Sequence, residues 1–100
     1  MDMRVNLIKE KRVFVVVPRT YLARLREREN LTQYKVSNKI GIVQSEYNMI
    51  ENGYRGHRMD ARKLIQLAKA FNVSVEYMVN QEALYLDEFD EKNGREKKWR

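Results

Sequence analysis

From Thr20 onward the apolar residues recur at helical spacing, in short segments each closed by a glycine, an asparagine or a capping side chain. Leu22, Leu25 and Arg26 share one face, and Asn30 follows as a left-handed stop. Thr32 caps a second segment with Val36 and Ile40 inward, and Gly41 ends it. A third runs from Gln44 to Asn52, with Tyr47 and Ile50 inward and Gly53 at its end. Asp60 opens a fourth that buries Leu64, Leu67, Ala68 and Phe71, and Ser74 opens a fifth with Val75 and Met78 inward. Short helices on short turns cannot stand alone, because each buries its apolar stripe only against the others. The pattern predicts an all-α core of five helices.

A chain of 100 residues, 43% apolar and 34% charged, has room for one modest core and little for a deep catalytic cleft. With no cysteine there is neither a disulfide nor a thiolate metal site. The longest apolar run, Val13 to Val17, is far below the roughly 20 residues of a membrane span. Asp2, Glu10 and Arg12 interrupt any signal-peptide order, so a cytoplasmic protein without a membrane partner is expected. The net charge of +6 divides as +3 over residues 1–20, +4 over 21–80 and −1 over 81–100. The excess therefore sits where it could meet a polyanion, although it could equally serve solubility.

Three segments are expected. Residues 1–18 read as an extended segment, a β-strand or hairpin in which Val5, Leu7 and Ile8 pair with Val13, Phe14, Val15, Val16 and Val17. Pro18 ends it. Residues 19–80 form the helical domain. Residues 81–100 are an acidic helical extension, either a continuation of the fifth helix or a short sixth, followed by a basic tail. Five apolar residues on an open edge need a cover. The cover is either the domain's own helices or the same segment of a second chain, and Val13 to Val17 are the expected dimer interface. Leu84, Leu86 and Phe89 offer a competing one.

The stretch Leu31-Thr32-Gln33, then Gly41-Ile42, then Gln44-Ser45 through Ile50-Glu51-Asn52-Gly53 describes two helices on a glycine-containing turn. Together with Leu67 to Val75, it resembles the phage-repressor, or XRE-type, helix-turn-helix family over residues 20–80. The resemblance implies that the third helix enters the DNA major groove with Gln44, Ser45, Asn48 and Met49 as base readers. A glutamine amide suits adenine N6 and N7, serine bonds several base edges, and methionine can touch a thymine methyl. Gln33, Asn52, Tyr54, Arg55 and Arg58 are the implied phosphate contacts. Arg26 and Glu51 match a structural ion pair of the family. Val43 departs from the pattern, standing where a capping hydroxyl is common. Tyr47 is larger than usual and needs a partner for its hydroxyl. Glu46 places a negative charge beside the surface meant for DNA.

The expected function is a sequence-specific DNA-binding transcriptional regulator, a repressor that binds a palindromic operator as a homodimer and occludes polymerase. No enzyme activity, cofactor or metal is implied. His57 has no partner at motif spacing and reads as a solvated loop residue. The alternative is an antitoxin-like or phage-encoded inhibitor that meets a protein partner through residues 1–17 or 81–100 and binds DNA only for autoregulation.

Overall fold

A computed structural model describes residues 15–54 and 59–94. It contains five helices: α1 (Thr20–Arg28), α2 (Gln33–Ile40), α3 (Gln44–Asn52), α4 (Ala61–Phe71) and α5 (Val75–Lys92). Packing joins α4 to α5, α2 to α3 and α4, and α1 to α3. No helix among the described residues is long and apolar enough to cross a membrane.

The helix boundaries follow local chemistry. The Thr32 hydroxyl accepts from the Lys35 N–H at 3.1 Å, the Asp60 carboxylate from Lys63 at 2.8 Å and the Ser74 hydroxyl from Tyr77 at 3.0 Å. Each satisfies an amide that the first helical turn leaves without a partner. Asn30 and Asn72 take left-handed backbone, at φ 57° and 58°, and reverse the chain after α1 and α4. Val43 opens α3 in extended geometry with no side-chain cap.

The core is built from the expected stripes: Leu22 and Leu25 of α1, Val36 and Ile40 of α2, Tyr47 and Ile50 of α3, and Leu64, Leu67, Ala68 and Phe71 of α4. Met78, Tyr85 and Phe89 of α5 complete it. Each large side chain so buried contributes roughly 1.5–3 kcal/mol before entropy is subtracted. Ser37, also buried, returns its hydroxyl to the Tyr34 carbonyl at 2.7 Å and so needs no other partner.

The expected N-terminal strand or hairpin is not supported: residues 15–18, its described part, are not in a strand. No strand occurs among the described residues. Val13 and Phe14, like Val5, Leu7 and Ile8, lie outside the described residues. Val15 spends both backbone groups on one side chain: its N–H reaches Asn93 Oδ1 at 2.8 Å, and Asn93 Nδ2 reaches its carbonyl at 3.2 Å. Val17 is 2% exposed in the chain's own helical core, while Val15 and Val16 remain exposed. At Val15, where a sheet would place a partner strand, the side chain at the end of α5 takes both backbone groups.

Two expectations for the last helix also change. Val75 is exposed rather than inward, whereas Phe89, read as part of a docking surface, is buried. The acidic stretch forms one continuous helix with the fifth segment, and Glu82 points into the core.

Candidate nucleic-acid interface

Gly41 takes φ 76° and lets the Ile42 N–H return to the Ser37 carbonyl at 3.0 Å, so α2 ends abruptly and three residues separate it from α3. Tyr47, Ile50 and Glu51 are buried on the inner side of α3. Gln44 and Ser45 are exposed in its first turn, and Met49 is 38% exposed. Asn48, four residues after Gln44 and three after Ser45, shares their face and is half-buried.

A hydrogen-bonded chain crosses from α1 through α2 to α3. Arg26 Nε donates to Glu51 Oε2 at 3.1 Å, and Arg26 Nη1 to the Leu31 carbonyl, also at 3.1 Å. Gln33 Nε2 donates to Glu51 Oε1. Asn48 Nδ2 donates to Gln33 Oε1 at 2.9 Å. The expected ion pair between Arg26 and Glu51 is therefore present, with Glu51 4% exposed. Gln33 braces α3, leaving one N–H for another acceptor.

Glu46, whose charge raised the question of repulsion, faces Lys63 of α4 with Nζ to Oε2 at 3.3 Å. Asn52 is half-buried at the end of α3, and Tyr54 is 67% exposed just beyond it. Arg55 and Arg58 lie outside the described residues. The Tyr47 hydroxyl is buried without a well-formed hydrogen bond. Burial, then the Glu51 charge, pushes it above the ordinary phenol range, while Arg26 pulls the other way.

Arg19 was not read from the sequence. It is fully buried. Its guanidinium meets both Glu82 oxygens, Nε to Oε1 at 2.9 Å and Nη2 to Oε2 at 2.8 Å. Nη1 donates to the Ile50 carbonyl at 2.9 Å, and the Arg19 backbone N–H to the Glu51 carbonyl at 2.8 Å. The residue after Pro18 thereby holds two carbonyls of the last turn of α3, that of Glu51 and that of Ile50, which also accepts from the Gly53 N–H at 3.3 Å. The Tyr21 hydroxyl adds a third bond to Glu82, at 2.6 Å, and the guanidinium carbon lies 4.2 Å from the centre of the Tyr85 ring. The only available signal was an arginine just before a helix with no acidic neighbour in sequence. A partner 63 positions away is invisible to spacing.

Gly53 closes α3 at φ 80° and packs on the same incoming segment. A Cβ there would overlap the Val17 carbonyl oxygen and sit 2.7 Å from its carbon. The foot of α3 is thus locked by residues 17–19, while its outer face near Gln44 carries short and medium polar side chains. Among the described residues no group of three His, Cys, Asp or Glu could hold a metal ion.

A family model described as a helix-turn-helix domain matches residues 21–84. No curated protein and no solved structure matches the chain.

Proposed function

We infer that this chain, which belongs to the XRE-type helix-turn-helix family, is a sequence-specific DNA-binding transcriptional regulator that reads the major groove with α3. The observation that carries the reading is the exposure of Gln44 and Ser45 in the first turn of a helix whose opposite side is buried core. Gln44 is assigned to adenine, Ser45 to an adjacent base edge and Met49 to a thymine methyl. The spare N–H of Gln33, with Asn52, Tyr54, Arg55 and Arg58, is assigned to phosphates, which fix register without reading sequence.

The regulator acts as a repressor on a palindromic operator. Two copies set their α3 helices in successive major grooves about 34 Å apart, and the bound dimer excludes polymerase. Val15 and Val16, each about half exposed, are its first candidate contacts between copies.

Fluorescence anisotropy with labelled duplexes tests the reading. Affinity is expected to fall steeply as salt rises, since phosphate contacts release counterions. Gln44→Ala should cost about 1–3 kcal/mol at one base position and little elsewhere. Equal loss on every sequence would remove Gln44 from the base-reading set.

A protein partner is the second reading. It is favoured by one observation, the exposed Val75, Tyr77, Val79 and Leu84 on α5, with Leu84 at 63%. In that case DNA binding serves autoregulation, and co-purification with a second protein is the expected sign.

A further inference from the structure

We propose that Asn48 reads an amino-bearing base, adenine first, because the hydrogen-bonded chain behind it fixes which way its amide points. The inference rests on the major-groove reading above and adds the identity of the base.

The argument is one of polarity. Glu51 offers its carboxylate to Arg26, and a carboxylate only accepts. Gln33 must therefore turn its nitrogen toward Glu51. That turn presents its oxygen, Oε1, to Asn48, which must answer with its own nitrogen at 2.9 Å. Asn48 is left with Oδ1 as an acceptor and one N–H. A free asparagine could present either end to a base, but this one has its direction set from Arg26, two helices away. Buried charge at one end makes reversal costly, because a flipped Gln33 would set its oxygen against the Glu51 carboxylate.

In the major groove only adenine N6 and cytosine N4 donate, and they meet an acceptor. Guanine O6 and N7 and thymine O4 only accept: they can take the remaining N–H but leave Oδ1 without a donor. Adenine also offers N7 to the remaining N–H, so it matches both atoms, whereas cytosine matches one. Glu51 and Gln33 are positioning residues in this scheme. Their contribution to specificity runs entirely through the Asn48 amide.

The chain can be reversed by one isosteric change. In Glu51→Gln, the new amide oxygen takes Arg26 and its nitrogen donates to Gln33 Oε1. Gln33 then gives its nitrogen to Asn48 Oδ1, and the Asn48 nitrogen turns outward. Bases with outward acceptors, guanine or thymine, should replace adenine at that position. A destabilised but folded protein would not change base preference in this directed way.

The test is selection of bound duplexes from a random pool, read by sequencing, with the wild-type chain, Glu51→Gln and Asn48→Ala, each first checked for helical content. The wild type should enrich a motif with an adenine-dominated position for Asn48 in addition to the one assigned to Gln44 on each recognition helix. Asn48→Ala should lose that preference, about tenfold or more, and keep the others. Glu51→Gln should invert it. Should Glu51→Gln fail to fold, Asn48→Ala alone decides. Enrichment of a motif that Asn48→Ala leaves unchanged overturns the proposal, as does a guanine or thymine preference removed by that variant. A folded Glu51→Gln that keeps adenine at the position also overturns it. No enrichment by the wild type overturns the major-groove reading itself and this inference with it.

Discussion

Arg19 and Glu82, 63 residues apart in sequence, form a two-point ion pair with neither side chain more than 4% exposed. The pair joins the segment entering α1 to the middle of α5, and the same guanidinium holds the Ile50 carbonyl at the end of α3. Removing one member strands the other's charge in the core. Arg19→Met should therefore destabilise the fold by about 3–5 kcal/mol, measured by urea unfolding. Arg19→Met combined with Glu82→Met should cost markedly less than the single change, because no buried charge is left over. A loss below 1 kcal/mol for the single variant would contradict the buried pairing.

Gly41 and Gly53 both have left-handed backbone, yet only Gly53 has neighbours where a side chain would go. Gly41→Ala should cost about 1–2 kcal/mol, the strain of placing an L-residue there. Gly53→Ala carries that strain plus overlap with the Val17 carbonyl, and should cost at least twice as much. Thermal melts of the two variants side by side make the comparison, and equal losses would deny the close approach.

Lys63 neutralises Glu46 on the surface assigned to DNA. Both side chains are part-exposed, so Lys63→Ala should shift stability by less than about 1 kcal/mol. It should nonetheless weaken binding of a duplex at low salt, since Glu46 then faces phosphate unpaired. Glu46→Gln in the same background should restore affinity. Anisotropy titrations with the single and double variants read both effects.

Three buried tyrosines set the alkaline limit. Burial first, then the Glu82 carboxylate, holds Tyr21 above its ordinary range; burial and Glu51 do so for Tyr47, and burial alone dominates for Tyr85. Below pH ~10, where tyrosines of the unfolded chain stay protonated, folded and unfolded forms bind the same protons and stability is full. Above it the unfolded chain releases protons that the folded chain retains. Stability should then fall by about 1.4 kcal/mol per pH unit for each of Tyr21 and Tyr47, about 3 together, with Tyr85 adding in the same direction. Urea midpoints from pH 8 to 11.5 check this, and a flat profile would place these hydroxyls in water.

Local chemistry was legible and long-range chemistry was not. Thr32, Asp60 and Ser74 cap where a short polar side chain precedes an apolar stripe, and Gly41, Gly53 and Asn30 stop helices where their backbones permit. The pair of Arg26 and Glu51 was reached through the family's spacing. Glu82 belongs to the stretch expected as an acidic helical extension, and nothing within a few residues marks it as buried. Its partner lies before α1. Val15 to Val17 suggested a strand because β propensity reports side-chain shape, whereas in the fold Val17 packs into the helical core and Val15 bonds to Asn93. Asn48 was a candidate base reader through the family resemblance alone, and the direction of its amide depends on three side chains from α1, α2 and α3 that meet only in the fold.

The central claim, that the outer face of α3 meets the major groove, is tested most directly by an amide NMR titration with a duplex taken from the selected pool. Backbone amides of Gln44, Ser45, Asn48 and Met49 and the side-chain amides of Gln33, Gln44 and Asn48 are predicted to shift, with α5 from Val75 to Leu84 unchanged. Shifts confined to α5, with α3 silent, would contradict it.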